Sequence, residues 1–300
     1  MFLRQLEYLT ALARERHFGR AAEACHVSQP ALSAGVRKLE RELGLPLIKR
    51  HQRYDDLTPQ GHALLAWAQQ VVAGVDGLTS EAARLREGLA GTLRLGVIPT
   101  ALNVVSLITG PLLEGHPGVR AEIRSLSSIE IGMRLANHDL DAGVTYLDNE
   151  PLGAVSATPI YRERYLFVTL SEEPVGPTVA WSQLKGVPLC LLTRDMQNRR
   201  IVEAELRRAG VEPAPRVEAN SISALLSFAR AGWSCVLAHT WLALQGLPPG
   251  MRALELTDPE VRHTVGLVTP KREPIHPLAR ALLDDLSTLD IDSQISREPT

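Results

Sequence analysis

The chain has 300 residues, 45% of them apolar, and a formal net charge of −2. It can therefore bury more than one core, and nothing global in its charge announces a nucleic-acid partner. Three cysteines, Cys25, Cys190 and Cys235, are too few and too scattered for a disulfide framework or a zinc site and suit a reducing cytoplasm. Charged residues from Arg4 to Arg20 interrupt any leader-like apolar run, and no apolar stretch reaches membrane-spanning length, so a soluble, cytoplasmic chain without membrane contact is expected.

Leu3, Leu6, Leu9 and Leu12 form a helical stripe, and the Ala-rich run Ala21-Ala22-Glu23-Ala24 favours a second helix that neighbours can approach closely. After a tight connection at residues 25–27, Ser28 is a good N-cap, with Pro30 in the first turn where its missing N–H costs nothing. This helix runs to about Leu43 and stops at Gly44, which completes helix-turn-helix proportions. Residues 45–58 read as a two-stranded wing with a basic tip, and Thr58-Pro59 as the start of the next helix. There, Leu64, Ala68, Val71, Val75, Leu78, Ala82 and Leu85 recur with a period of about 3.5, a narrow seam that suits the same helix of a second copy. The alternative is a long helix lying on its own domain; the lack of adjoining globular sequence favours dimerisation. Gly88 and Gly91 end the helix as a hinge.

From Thr92 strands and helices alternate, which argues for a mostly parallel sheet with crossover helices. Strands are expected at 92–99, 119–126, 142–146, 154–160, 165–170, 189–193, 216–219, 235–239 and 265–268. Helices are expected at 103–113, 129–137, 198–209, 222–231 and 277–289, with a short disordered tail after Asp290.

Basic residues are concentrated at the front, with ten Arg/Lys against seven acids in residues 1–58. On the helix after the turn, Leu32, Val36, Leu39 and Leu43 share one side, while Pro30, Ala34, Arg37, Lys38 and Arg41 lie opposite with Gln29 and Ser33 on the border. That is the surface a helix needs to enter the major groove. Gln29, Ser33 and Arg37 suit base edges, and Lys49, Arg50 and Arg53 on the wing suit phosphates or the minor groove. A merely solvated helix, its Arg37, Lys38 and Arg41 paired with Glu40 and Glu42, is the blander reading; the combination of turn, cap, packing and basic face favours DNA.

The runs Phe18-Gly19-Arg20-Ala21-Ala22, Ser28-Gln29-Pro30-Ala31-Leu32-Ser33, Leu39-Glu40-Arg41-Glu42-Leu43-Gly44, Leu47-Ile48-Lys49-Arg50 and Leu57-Thr58-Pro59-Gln60-Gly61 together resemble the LysR-type transcriptional regulators. The resemblance implies an α/β protein overall: a winged helix-turn-helix at 1–58, a linker (dimerisation) helix and hinge at 59–91, and an effector domain at 92–292. That domain would have two lobes like a type 2 periplasmic binding protein, lobe I at about 92–161 plus 266–292 and lobe II at about 162–265. It further implies a homotetramer, built as a dimer of dimers, that binds and bends promoter DNA under control of a small molecule, with RNA polymerase a further partner and no cofactor. The family's DNA-contacting positions fall on Gln29, Pro30, Ser33, Arg37, Arg50 and Arg53. Two departures stand out: Ala34-Gly35 occupies positions where larger polar residues are common, and Asp55-Asp56 puts acids in the wing.

Open α/β sheets bind ligands beyond the carboxyl ends of their strands. By that rule Thr100, Ser127, Ser128 and Thr145, with Thr193, Asn198 and Asn220 from the second half, would make a rim of neutral donors for a small polar or anionic effector. Arg194 or Arg199 could neutralise a carboxylate. Cys235 suggests a redox sensor, but a structural buried cysteine is the simpler reading. A solute-binding receptor is disfavoured by the basic front end. No enzyme is expected, because GxSxG, P-loop, GxGxxG and HExxH patterns are missing and the nine histidines are dispersed.

Overall fold

Three helices open the chain: α1 (Leu3–Glu15), α2 (Phe18–Ala24) and α3 (Gln29–Leu43). The computed structural model describes residues 1–50, 54–172 and 175–296, and the chain divides into two compact units, Met1–Glu87 and Gly88–Thr300.

Leu6, Leu9 and Leu12 of α1 and Ala21 and Ala22 of α2 pack with Leu32, Val36 and Leu39 of α3, all buried. Ser28 Oγ accepts the Ala31 N–H (3.4 Å), and Gly44 closes α3 at φ +68°, a left-handed position that glycine takes without a Cβ penalty. His17 caps α2 through Nδ1, which accepts from Gly19 and Arg20. The mid-helix Gly35 has a structural reason: a Cβ there would lie 2.5 Å from Cδ2 of Tyr8. Glycine lets the ring of α1 lie directly on the backbone of α3. Leu43 leaves the apolar stripe and is 38% exposed, because the helix ends before it reaches the core.

The wing is an antiparallel pair, β1 (Ile48–Arg50) and β2 (Tyr54–Leu57), with buried Ile48 opposite buried Leu57. Thr58 Oγ1 donates to the Pro46 carbonyl (2.6 Å) and accepts from Gly61 (2.9 Å), starting α4 (Pro59–Glu87). A Cβ on Gly61 would meet the Leu47 carbonyl oxygen at 2.1 Å, so the wing backbone and the first turn of α4 touch.

The seam expected along α4 is divided. Leu64 and Ala68, with Leu65 and Val72, pack into the core of their own unit, where α1 lies alongside α4. Farther along, Val71, Leu78 and Leu85 of the expected seam are exposed, joined by Trp67, which the seam did not include. Sequence reading placed no globular neighbour beside this helix; α1 is that neighbour.

The second unit alternates as expected: β3 (Ala90–Val97), α5 (Val105–Gly115), β4 (Gly118–Ser125), α6 (Ser128–Ala136), β5 (Ala142–Tyr146), β6 (Val155–Thr169), β7 (Thr178–Ala180), β8 (Leu189–Leu192), α7 (Gln197–Arg208), β9 (Val217–Ala219), α8 (Ile222–Arg230), β10 (Ser234–Ala238), α9 (His239–Gln245), β11 (Arg252–Thr257), β12 (Arg262–Pro270), α10 (Pro277–Leu286) and α11 (Ile291–Ser296). Strand order is β4-β3-β5-β12-β6-β10-β8-β9, with β11 and then β7 branching from β6. The β4-β3-β5 and β10-β8-β9 stretches are parallel, but β12 and β6 run against their neighbours, so the sheet is mixed rather than mostly parallel.

Two stretches read as separate strands are one 15-residue strand, β6. Its residues 155–164 ladder with β12 and its residues 165–169 with β10 and β11, so one strand belongs to the sheets of both lobes. Strand β3 begins at Ala90, so Gly91 lies inside it rather than in a hinge. The expected disordered tail contains α11, anchored by buried Ile291 and Ile295. Among the described residues no helix is long and apolar enough to cross a membrane.

Candidate nucleic-acid interface and ligand pocket

With its apolar side buried, α3 turns Gln29, Pro30, Ala34, Arg37, Lys38 and Arg41 outward, and Ser33 is half-buried at the border. The two acids that could neutralise this face are drawn elsewhere. Glu40 Oε1 accepts the N–H groups of Leu47 (2.9 Å) and Ile48 (3.2 Å), tying the wing to α3. Glu42 pairs with the amino terminus of Met1 (2.6 Å). Among the described residues Arg37 has no ion-pair partner and stands free on the face. Lys38 is placed differently from the expectation of a DNA contact, since its ammonium lies 4.9 Å from the ring centroid of Phe2. Pro30, Ser33, Arg37 and Arg41 line one wall of a groove that Pro46 and Ile48, at the base of the wing, complete. Lys49 is exposed opposite Asp56. Asp56 Oδ1 accepts the Leu57 N–H (2.8 Å), which holds its carboxyl below the usual range and leaves it part of the local framework. Arg53 and the side chains of Arg50 and Asp55 lie outside the described residues.

In the second unit the expected rim does not form one ring. Thr100 and Asn198 meet at the hydroxyl of Tyr146, at 3.2 Å each, and Tyr146 in turn donates to Glu163. Tyr146 and Glu163 are both fully buried. Burial pushes the Glu163 carboxyl up to about 8, and burial together with Glu163 raises Tyr146 well above a phenol's ordinary value. Ser127 is spent in a capping box with Glu130. Thr193 is half-buried with its hydroxyl unanswered, and Asn220 is exposed ahead of α8, so neither joins the others.

Ser128 and Thr145 do come together, around a cavity of about 560 Å³ that also takes in Gln197. The first turn of α7 fastens the two lobes beside it. Gln197 Nε2 donates to the Asp148 carbonyl (2.8 Å), and Arg200 holds Glu150 by two bonds, 2.5 and 2.7 Å, with Ser128 Oγ at 3.4 Å. Neither arginine offered for a carboxylate is available in the cleft. Arg199 is wholly buried against Glu203, Glu218 and the Leu192 carbonyl, and Arg194 is largely exposed beside Glu203.

Sequence reading missed Tyr146, Glu163 and Arg200. A signal for Glu163 was present: alternate residues of a strand share a face, so Tyr161, Glu163, Tyr165 and Phe167 form one buried row with an acid between phenols. Cys190 and Cys235 are register partners on β8 and β10, both buried, with Cys235 pushed up to about 12 by burial and Cys190 raised as well. Among the described residues no His, Cys, Asp and Glu group could hold a metal ion.

Comparison with known proteins covers both units. The family described as bacterial regulatory helix-turn-helix protein, lysR family, matches residues 3–62, and the LysR substrate binding domain matches residues 86–289. The DNA-binding transcriptional dual regulator OxyR of Escherichia coli is 31% identical over 94% of this chain and 95% of its own. The HTH-type transcriptional regulator IlvR of Caulobacter vibrioides is 31% identical over 94% and 96%. Among solved structures, a full-length OxyR variant from Pseudomonas aeruginosa superposes with a TM-score of 0.77 at 27% identity, covering 100% of this chain and 99% of that one. Full-length CbnR in complex with its target DNA has the same fold, with a TM-score of 0.65 at 22% identity over 96% and 99%.

Proposed function

The chain belongs to the LysR family of DNA-binding transcription regulators, which are not enzymes, and from that premise we propose that α3 reads promoter DNA while a small polar molecule held between the lobes of residues 88–300 alters that binding. The observation that carries the reading is the division of α3 into two faces. Its leucines and valine are buried, and Gln29, Ser33 and Arg37 look outward beside acids that are already engaged. Gln pairs with adenine and Arg with guanine in the major groove, and Ser accepts several edges. Pro30 sets the first turn against the backbone, and Arg41, Lys49, Arg50 and Arg53 supply phosphate contacts. Lys38 belongs to this set as a long-range charge rather than a direct contact.

The exposed stripe Trp67–Val71–Leu78–Leu85 makes α4 the dimer helix, and two dimers form the tetramer. The regulator works in the cytoplasm at promoters, where RNA polymerase is its downstream partner.

Several relatives are named as hydrogen peroxide-inducible genes activators. Peroxide chemistry needs an accessible thiolate. Cys190 and Cys235 are buried and raised, and Cys25 is half-buried and raised, so the signal read here is a ligand and not thiol oxidation. The arginines nearest the cleft are committed, so the ligand is polar rather than anionic.

The test is a footprint of the purified chain on DNA flanking its own coding region, with and without hydrogen peroxide. Protection of a defined, interrupted site, unchanged by peroxide, is expected. Uniform protection at low salt would remove sequence-specific reading, and a peroxide-dependent footprint would restore the thiol reading.

A further inference from the structure

The cavity beside α6 has an apolar wall that includes Ile131, Leu135, Leu152 and Val268. Its floor is polar and unanswered. Thr145 is 1% exposed and Gln197 2% exposed, and Thr145 Oγ1 and Gln197 Oε1 have no hydrogen-bond partner within the chain. The orientation of Gln197 is set by chemistry. Its other end faces the Asp148 carbonyl, which can only accept, so the nitrogen points there and the oxygen is left without a donor. A buried oxygen without a donor is costly, and a ligand that brings one recovers that cost.

The acid nearest this floor is already paired. Glu150 is held by Arg200, and Arg200 also donates to the Arg194 and Asp195 carbonyls. Of the cations lining the cavity, Lys271 is exposed and Arg272 lies against His138. A carboxylate placed against Gln197 Oε1 would meet an acceptor where it needs a donor, whereas a neutral N–H or O–H would be answered there.

We propose that this cavity binds a small molecule with an apolar, ring-sized body and an uncharged N–H or O–H head, received by Gln197 Oε1 and Thr145 Oγ1. As a statement about regulation it rests on the effector reading given above; as a statement about ligand chemistry it rests on the cavity alone.

The matched probes are phenylacetamide and phenylacetate, which differ in a neutral donor against an anion, titrated calorimetrically into the full chain. The amide binds at least about tenfold tighter. Thr145→Val weakens the amide about threefold or more, and Gln197→Glu shifts preference by about tenfold toward benzylamine, because the floor then carries a charge. Equal or tighter binding of phenylacetate, an amide affinity indifferent to both substitutions, or no binding of either probe at millimolar concentration would overturn the proposal. If the amide binds with this pattern and the promoter footprint does not change, the ligand class stands and the effector reading falls.

Discussion

The outer side of α3 and the junction of β5 with α7 are built from the same kinds of side chain, hydroxyls, amides and an arginine, put to opposite uses. On α3 the polar groups face solvent, and the neighbouring acids serve the wing and the amino terminus, so Arg37 keeps its capacity for a partner outside the chain. At the β5–α7 junction the polar groups turn inward and largely satisfy one another, through Thr100, Tyr146, Asn198 and Glu163 on one side and Arg200, Glu150 and Ser128 on the other. A surface that must meet a large, charged partner stays open and solvated. A pocket that must distinguish small molecules closes around itself and leaves only a few atoms unanswered.

Experiments can press on this contrast. The largest effect is expected from Leu78→Glu combined with Leu85→Glu, which charges the bare stripe of α4 without touching the core of either unit. Dimers should be lost in sedimentation while helicity is kept. Affinity for a two-half-site operator should fall by about a hundredfold or more as the avidity of linked sites disappears. An intact dimer would mean that α4 pairs through another face.

Next comes the buried acid. The carboxyl of Glu163 is raised to about 8 in the fold, whereas the unfolded chain titrates it near 4.5. Between those values the folded state holds the extra proton, so stability falls as pH rises, by about 1.4 kcal/mol per pH unit, and levels off above the upper value. Tyr161 and Tyr165 on the same row, and Tyr146 on β5, are all pushed up and stay neutral across this window. Denaturant titrations of the wild type should show the slope between pH 5 and about 8, and Glu163→Gln should flatten it. A slope that survives the substitution would assign it to another group.

Gly35→Ala places a methyl group against the Tyr8 ring and should destabilise the first unit by about 1–3 kcal/mol, despite the better helix propensity of alanine. Tyr8→Leu should relieve part of that cost in the double variant. Arg37→Ala should cost about 1–3 kcal/mol on the specific site and much less on scrambled DNA. Equal losses on both, measured at one salt concentration, would make Arg37 a phosphate contact.

What could be read in advance divides along the same line. In the first unit the deciding signals are local: Ser28 and Gly44 bracket α3, Thr58-Pro59 opens α4, and a 3.6-residue period sorts leucines from arginines within one helix. In the second unit strands and helices were legible from the same kind of signal, but the site was not. Thr100, Tyr146, Glu163 and Asn198 are brought together from four elements, and no periodicity links them. Strand β6 was read as two because the Tyr161-Arg162-Glu163-Arg164 stretch breaks its apolar run; those residues lie where the strand leaves one sheet for the other. The α4 seam loses its first two members for the related reason that the core of its own unit, where α1 packs, claims Leu64 and Ala68.

The contact between Gly61 and the Leu47 carbonyl bears on how a distant event reaches the nucleic acid. With no room for a side chain at that joint, and Thr58 bonded to both sides of it, the wing and the foot of α4 form one stiff piece. The helix beyond it is 29 residues long, a rod of about 43 Å. Such a rod is a lever without a loose fulcrum. If α4 pairs with its copy as proposed, a small swing at its far end would be delivered to α3 as a rotation of the whole first unit, and the angle between the two rods would set the separation of the two half-sites.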